Sequence, residues 1–568
     1  MDAVTSKAHC GHAEPLTIST SQILDDGIPS LHGIHGGKRA RNLIPQIDHS
    51  KIKKICCIGA GYVGGPTCSV IATKNPDVVV TIVDLSIKRI EAWQSNELPI
   101  HEPNLMDVVQ SARDDHDDRP ANLFFSADID NAIKEADCIF VSVNTPTKSL
   151  GRGKGRASEL SCFESAIRRI ADVATSDKII VEKSTVPVRT AENMREILMA
   201  NCKPGVKFEI LSNPEFLAEG TAIKNLLHPD RILIGSLSTE AGVRAAASLV
   251  DVYAAWVPRE KIITTSLWSS ELAKLAANCL LAQRISSINA LSAICEQTGA
   301  NVSEVSKACG LDSRIGPKML SASVGYGGSC FKKDILSMSY IAEALHLPAV
   351  AAYWKSINDI NEYQKDRFAR RIVACLHHTL EKKKIAIFGF AFKKDTGDVR
   401  ESAAISIVHD LIMEGADIGI YDPRAPMESI WYELEAACDD PQLVRSRVKI
   451  CDTPYEASYD AHAVVIVTEW DMFGNKAPVS SKKAAITPPA TPRTDVYPDK
   501  FVDVKEKVAP AAGSRVDWEK VASVMRRPMF VFDGRDMIEP QNLEDLGFQV
   551  EGIGMAGRGR KIVVDLDS

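Results

Sequence analysis

The chain lacks any apolar run that approaches a membrane span, which takes about 20 consecutive residues. Its first residues, MDAVTSKAHCGHAEPLTISTSQ, contain no basic stretch leading into an apolar one, so they do not read as a secretory leader. It has no basic excess either. Against 67 Lys and Arg stand 74 Asp and Glu, a formal net charge of −7, so neither nucleic acid nor an anionic membrane finds an electrostatic footprint. The 14 cysteines have none of the dense, regular spacing of a secreted disulfide framework. Cys56 and Cys57 are adjacent in an apolar run, where bridging both is sterically unfavourable. Cys10, His12, His32 and His35 fall far short of a zinc pattern, and no metal is expected. Together these absences read as a cytoplasmic protein with reduced thiols, no nucleic-acid partner and no membrane.

What is present is a globular composition. Hydrophobic residues make up 45% and charged residues 25% of 568 residues, enough for two to four domains. Residues 1–50, rich in Gly, His, Ser and Pro with a small basic cluster at Lys38–Arg41, read as a flexible extension. From Lys53 the pattern turns regular. Ile55–Ile58 is an apolar run, Gly59–Gly65 a glycine-rich turn, Pro66–Lys74 a helical segment and Val78–Val83 a β-branched strand ending at Asp84. Strand candidates follow at Cys138–Val143, Lys178–Val181 and Phe208–Leu211, with helical stretches between, which predicts a parallel, doubly wound sheet.

From Trp268 to Thr298 the sequence has no Pro or internal Gly and predicts one long helix, a spine between domains and a candidate subunit interface. A second α/β module starts at Lys384, with strand candidates Ile385–Phe388, Ile418–Tyr421, Ala463–Val467 and Phe530–Phe532. The expected fold is α/β: two Rossmann-like doubly wound lobes joined by a long central helix. Its expected divisions are 51–265, a central helical and dimerisation region 266–370, and a C-terminal lobe 371–552. Within that lobe, 476–513 (KAPVSSKKAAITPPATPRT and its flanks) reads as a disordered insertion, and 553–568 as a loose tail.

Gly59-Ala-Gly61-Tyr62-Val63-Gly64 matches GxGxxG between a strand and a helix, the context a dinucleotide fingerprint requires. Gly59 permits the tight turn, Gly61 lets the backbone approach a pyrophosphate, and Gly64 lets helix and strand pack closely. First-turn amides and the helix dipole then hold phosphate. Asp84 ends the next strand, where a carboxylate bonds ribose hydroxyls and repels a 2′-phosphate. NAD is therefore favoured over NADP, although Arg89 nearby weakens the preference. The segments Val143-Asn-Thr145-Pro-Thr and Glu182-Lys-Ser-Thr185-Val-Pro each follow a strand, on the sheet edge where open α/β folds bind ligands.

The sharpest local feature is GYGGSCFKKD, residues 325–334. Its glycines form a pliable loop, Ser329 is a good N-cap residue, and Cys330 is expected in the first helical turn, where the dipole favours thiolate. Lys333 adds positive charge, and Asp334 shares the helix face at i+4. A thiol beside a cation and a carboxylate suits covalent catalysis; the plain alternative is a buried, inert cysteine. Glu215 and Glu219 in NPEFLAEG follow another strand, and a carboxylate there serves as general base, positions water, or merely starts a solvated helix. Lys274 and Asn278 lie at i, i+4 on the spine helix, suited to a hydroxyl or oxyanion or, on the plainer reading, part of an exposed helical face. FKKDTGDVRES, from Phe392, offers cations to a diphosphate or to solvent.

The segments CCIGAGYVGGPT, VSVNTPTK, EKSTVPVR, NPEFLAEGTAI, ELAKLAANCLLAQRISSINA, VGYGGSCFKKD, FKKDTGDVRESAA and FVFDGR, in this order, resemble the UDP-glucose/GDP-mannose dehydrogenase family in its eukaryotic form, over nearly all of 51–474 and 528–551. The resemblance implies oxidation of UDP-glucose to UDP-glucuronate with two NAD and water, through a covalent intermediate on Cys330. It assigns Glu215 as acid/base or water-positioning group, Lys274 and Asp334 as assistants at the sugar C6 oxygen and catalytic water, and Asn278 as a substrate holder. It gives NAD contacts to Gly59, Gly61, Tyr62, Val63, Gly64, Asp84, Arg89, Val143, Thr145, Thr185, Glu219, Lys333 and Arg400. It gives substrate contacts to Glu215, Phe216, Leu217, Ala218, Glu219, Lys274, Asn278, Ser323, Tyr326, Gly327, Phe392, Lys393 and Arg535. It also implies that Arg314 reaches a neighbouring subunit's substrate in a homo-oligomer, dimer or hexamer. Rival expectations are a sibling enzyme acting on GDP-mannose or an N-acetylated UDP-sugar, and a non-catalytic NAD or nucleotide-sugar sensor.

Overall fold

A computed structural model describes residues 49–116, 119–476 and 515–555. The expectations for the N-terminal extension, for nearly all of the 476–513 insertion, for the tail from 556 and for Cys10, His12, His32 and His35 therefore lie outside the described residues. Eight strands form the first sheet: β1 (Lys54–Ile58), β2 (Val79–Val83), β3 (Leu123–Ser126), β4 (Cys138–Val141), β5 (Lys178–Glu182), β6 (Phe208–Ser212), β7 (Ile232–Ser236) and β8 (Ile262–Ser266), in the order β3-β2-β1-β4-β5-β6-β7-β8. The order reverses at β1, so the carboxyl ends of β1 and β4 flank a crevice, the place where doubly wound folds bind ligands.

The central strands are covered on both faces, which is why their sequences are continuous apolar runs rather than alternating ones. β4, CIFV, is buried at every position. Separate apolar clusters fill the two sides. One contains Ile71, Trp93 and Tyr253, and the other Ile139, Ile167 and Leu198.

The expected strands pair parallel, but β7, which was not among them, pairs antiparallel with β6, Leu211 with Ser236 and Ser212 with Gly235. A parallel neighbour requires a crossover that carries the chain back along the sheet. Between β6 and β7 the only helix is six residues, Ala222–Leu227; the chain stays at the carboxyl edge and re-enters in reverse. The same detour holds the NPEFLAEG loop at that edge.

The second sheet comprises β9 (Lys384–Phe388), β10 (Asp417–Tyr421), β11 (Val448–Ile450), β12 (Ala463–Ile466), β13 (Met529–Asp533) and β14 (Phe548–Gly552), all parallel, in the order β11-β10-β9-β12-β13-β14. Between the sheets runs the spine helix, Leu267–Thr298, ended by Gly299 in the left-handed conformation that stops helices. A second long helix, Pro348–Cys375, packs beside it together with the helix Phe331–Ala344 that follows the cysteine. Proline at its first position suits a helix start, because the missing N–H there has no intrahelical partner. One side of the spine leaves Trp268, Leu272, Leu280, Leu291 and Ile294 exposed. Among the described residues, no helix is long and apolar enough to cross a membrane, and no group of three or more His, Cys, Asp or Glu could hold a metal ion.

Candidate active site

A cleft of about 1430 Å³ opens at the carboxyl edge of the first sheet. Its walls bring together Gly59, Gly61, Tyr62, Val63, Asp84, Arg89, Val143, Thr145, Thr185, Glu215, Glu219, Cys330, Lys333 and Arg400 from across the sequence. At one end the glycine turn shows why side chains are excluded. A Cβ on Gly59 would sit 2.2 Å from Ser142 O, and one on Gly64 would sit 2.1 Å from Gly59 O. A Cβ on Gly61 would meet nothing within 4 Å, because that residue faces the cleft. Asp84 accepts a 2.9 Å hydrogen bond from the Ala60 amide and another from Ser86, and pairs with Arg89 at 3.0 Å. The arginine is therefore tied to the carboxylate.

At the other end lies a buried charged cluster. Lys274 Nζ stands 3.0 Å from Glu215 Oε1, and Glu215 Oε2 accepts the Leu217 amide at 2.7 Å. Asn278 Nδ2 donates to Asp334 Oδ2 at 2.7 Å, while Asp334 Oδ1 is buried without a hydrogen-bond partner. An orphaned carboxylate oxygen costs about 1–3 kcal/mol and is an acceptor ready for a ligand hydroxyl or water. Burial alone would raise Glu215, but Lys274, the Leu217 amide and Lys183 outweigh it and hold the carboxyl below its ordinary range. For Asp334 burial prevails, and its pKa is raised despite Lys274, Lys333 and Asn278. Lys274 is raised: desolvation works against its charge, but Glu215, Asp334 and Cys330 together favour it.

Two expectations for the cysteine are corrected. Ser329 does not cap the helix; Cys330 itself occupies the N-cap position in an αR conformation, with no side-chain cap bond, and the helix starts at Phe331. The Gly328 turn delivers the chain one residue later than capping preference suggests. Nor is the thiol acidified. Although Cys330 is exposed to the cleft, its walls desolvate the sulfur, and Asp334 and Glu215 add negative charge, so its pKa is raised; Lys274 opposes this only in part. Lys333 points elsewhere, donating to Thr145 O at 2.8 Å and Oγ1 at 3.1 Å. Thr145 Oγ1 in turn donates to Thr185 O at 2.8 Å, so the helix after the thiol is fastened to both strand-end loops of the first lobe.

The remaining expected residues separate into groups. Glu219 spans the two lobes, 3.2 Å from Thr396 Oγ1 and 3.7 Å from Arg400; burial and Asp398 push it up to about 7. The Phe216 ring lies under the Arg231 guanidinium at 3.8 Å, with Lys274 Nζ at 5.4 Å. Leu217 supplies the amide that fixes Glu215, and the Ala218 amide donates to Asn225. Gly327 abuts the second lobe, where a Cβ would stand 2.6 Å from Glu401 O and 3.0 Å from Phe392 Cβ. Lys393 lies over Phe392, whose carbonyl accepts from Arg535 at 3.3 Å. Ser323 is buried in loop scaffolding, its amide donating to Asn289. Tyr326 packs its ring against Phe331 in the apolar cluster of the spine. Arg314 is 87% exposed and paired with Asp312 at 2.6 Å; it does not line this cleft.

Sequence reasoning missed Glu102 and Lys183. Glu102, 6% exposed, accepts the Gly220 amide and the Ala222 amide at 3.0 Å, pinning the NPEFLAEG loop from a distant segment. An isolated glutamate in PIHEPNL gives no local signal of that task. Lys183 sits in EKSTVPV directly before the Thr185 loop, where the eye falls on the threonine.

Consecutive stretches match three family models: the NAD binding domain of the UDP-glucose/GDP-mannose dehydrogenase family at 53–257, its central domain at 268–363 and its UDP binding domain at 386–491. The chain belongs to the UDP-glucose/GDP-mannose dehydrogenase family. Within that family it is 52% identical to UDP-glucose 6-dehydrogenase of Drosophila melanogaster over 503 residues, 88% of this chain and 96% of the relative. It is 52% identical to that of Pongo abelii over 516 residues, 90% and 95%. A UDP-glucose dehydrogenase structure from Pyrobaculum islandicum superposes with a TM-score of 0.69 at 27% identity, covering 90% of this chain and 100% of the other.

The cofactor of this family member is NAD, and strands β1 to β7 of the first sheet lie within the matched NAD binding domain. The glycine turn fits that cofactor: it is closed to side chains at 59 and 64 and open at 61. Replacing Asp84 with serine is expected to raise the NAD Michaelis constant about tenfold, the worth of one charge-assisted hydrogen bond, and to improve relative use of NADP as Arg89 is released. Steady-state kinetics with both cofactors checks this; an unchanged preference means that Asp84 does not read the ribose.

Proposed function

We propose that the chain oxidises UDP-glucose at C6 to UDP-glucuronate, consuming two NAD and one water, with Cys330 as covalent nucleophile. The observation that supports it best is that Cys330, Glu215 and the glycine turn line one cleft, with Lys274 paired to Glu215 and with Lys274 and Asp334, which Asn278 holds, acting on the sulfur. NAD supplies the hydride acceptor for both oxidations.

Glu215, ionised and held by Lys274, takes the C6 hydroxyl proton directly or through water as the alcohol becomes aldehyde. Cys330 Sγ then adds to the aldehyde carbon while its proton passes to the aldehyde oxygen, forming a thiohemiacetal. An aldehyde carbon gives hydride readily only after a nucleophile has added to it, and the covalent bond keeps the reactive aldehyde from escaping. Lys274 stabilises the oxygen that becomes anionic, a contribution of about 3–4 kcal/mol. After the second oxidation the thioester is cleaved by water held at Asp334 and Asn278, which releases the carboxylate and restores the thiol. Phe216 to Glu219, Ser323, Gly327, Phe392, Lys393 and Arg535 hold the UDP-sugar. Tyr326, with its ring in the spine and its amide and carbonyl both bonded to Asn361, fixes the loop that presents Gly327.

This reading divides the chain into an NAD-binding domain (51–265), a central dimerisation domain (266–370) and a UDP-sugar domain (371–552). The protein acts in the cytoplasm as a homo-oligomer, dimer or hexamer. The exposed apolar side of the spine and the outlying Arg314 support a site completed by a second copy; sedimentation of an active monomer would remove this part.

The deciding experiment follows NADH absorbance with the purified chain. Two NADH per UDP-glucose consumed are expected, with GDP-mannose and N-acetylated UDP-sugars far slower. A ratio of one, or faster turnover of another sugar, overturns the assignment.

A further inference from the structure

β5 ends at Glu182, and Lys183 follows it directly; both charged residues are buried. Lys183 is 4% exposed, yet among the described residues no carboxylate lies within ion-pair distance of its nitrogen. Nζ donates to Asn213 Oδ1 at 3.0 Å and to Tyr253 OH at 3.4 Å, and lies 5.9 Å from the Tyr253 ring centroid. The acceptor is held firmly. Tyr253 OH donates to Asn213 Oδ1 at 2.6 Å, and Asn213 Nδ2 donates to Leu233 O at 2.7 Å. Asn213 and Tyr253 are fully buried. An ammonium so deep is costly unless something requires its charge.

The surroundings indicate what that is. Asn213 stands two residues before Glu215, and the charged groups acting on Lys183 are Glu215 from the loop after β6, Lys274 from the spine, and the thiols Cys57 and Cys68 from β1 and the first helix. Glu215 in turn feels Lys274 and Lys183, and it acts together with Asp334 and Lys274 on Cys330. The site thus holds two ammonium groups and two carboxylates, with a thiol that must become anionic. Without Lys183, a thiolate would leave three negative groups around Lys274 alone.

We propose that Lys183 is a positioning residue for the reaction: its buried ammonium keeps Glu215 ionised as proton acceptor and lets the site tolerate a negative Cys330 sulfur. This rests on the function proposed above. Burial lowers Lys183 to about 8, and Glu215 opposes the fall, so the lysine is charged through the neutral and acid range and loses its proton as pH rises through about 8. Its support is therefore complete on the acid side, where Glu215 titrates, and fades above.

The test uses the full chain with Lys183→Met, an unbranched side chain that ends where the ammonium begins, and Lys183→Gln, which keeps a donor group without the charge. Both are expected to move the acid limb of the kcat profile up by about one pH unit, a tenfold loss on that limb, with Michaelis constants for UDP-glucose and NAD within about twofold. Alkylation of Cys330 by iodoacetamide at pH 7.5, read by peptide mass without substrate, is expected to slow about tenfold in both. Tyr253→Phe, which keeps the charge and loses the hydroxyl, is expected to leave the limb in place. An unmoved limb in the lysine variants, a shift in Met but not Gln, or the same shift in Tyr253→Phe overturns the proposal. A wild-type chain that makes no NADH from UDP-glucose overturns the function instead, and the alkylation rates still report whether Lys183 acts on the thiol.

Discussion

Cys330→Ser is expected to lose glucuronate release by at least about 10³-fold, on the scale of removing a catalytic nucleophile, while still binding UDP-glucose and NAD. A serine hydroxyl in the same cleft has no thiolate-like state near neutral pH, and any ester it formed would leave far more slowly than a thioester. The variant should stop after the first oxidation, yielding one NADH per sugar bound, or at an uncleaved ester adduct, yielding two without release of glucuronate. Single-turnover absorbance and intact-protein mass measure both. Wild-type turnover by the serine variant would end the covalent mechanism. The raised thiol pKa adds a check on the unmodified protein. The thiolate fraction, and hence the alkylation rate at Cys330, should keep climbing above pH 9 rather than level off near neutrality.

Lys274→Met should lower kcat by about 10²–10³-fold, the usual loss when one oxyanion partner is removed. It should also change stability in a pH-dependent way. In the wild type, Glu215 has a folded pKa below its ordinary value. It therefore contributes stability above its unfolded pKa, and this is lost as pH falls through the folded pKa. Deprived of Lys274, the same carboxyl keeps its full desolvation but loses its largest compensation, with the Leu217 amide and Lys183 remaining, and its pKa should rise above the ordinary value. Its contribution then becomes largest in acid and is lost as pH rises through the new folded pKa. Breaking a buried pair typically costs about 3–5 kcal/mol near neutrality. Melting temperatures from pH 4 to 8 should show the variant's deficit shrinking toward acid. A variant within tenfold of wild-type kcat, with a deficit independent of pH, would show that Lys274 neither stabilises the oxyanion nor holds Glu215.

Much of the fold was legible because its strands are short apolar runs at the intervals a doubly wound sheet demands, as with ILS before Asn213 and CIFV before Val143. The edge strands Leu123–Ser126 and Val448–Ile450 and the reversed Ile232–Ser236 carried no such signal: three to five residues of mixed burial do not stand out from loops. The candidate site was legible where a residue type has few alternative uses, as with glycines in a tight turn or a cysteine after three of them. It was not legible where the task depends on the third dimension. Nothing near Lys333 in sequence reveals that it reaches Thr145 instead of the sulfur, and nothing near Glu102 reveals that it caps a loop more than a hundred residues away. The direction of the Cys330 shift was misjudged for the same reason. Sequence displays the helix start and the lysine, but not the walls of the cleft or the closeness of Glu215.

The unbroken spine has an implication of its own. Its 32 residues span about 48 Å at 1.5 Å per residue, with no proline or internal glycine to absorb an error. One inserted residue anywhere ahead of Asn278 would turn everything beyond it by about 100°, swinging Lys274 or Asn278 out of line with Asp334 and rotating the Leu280 and Ile294 side relative to Trp268. The helix therefore serves as a ruler with two graduated edges, chemistry marked on one and apolar surface on the other. Changes of length can be absorbed at its ends but not along its shaft.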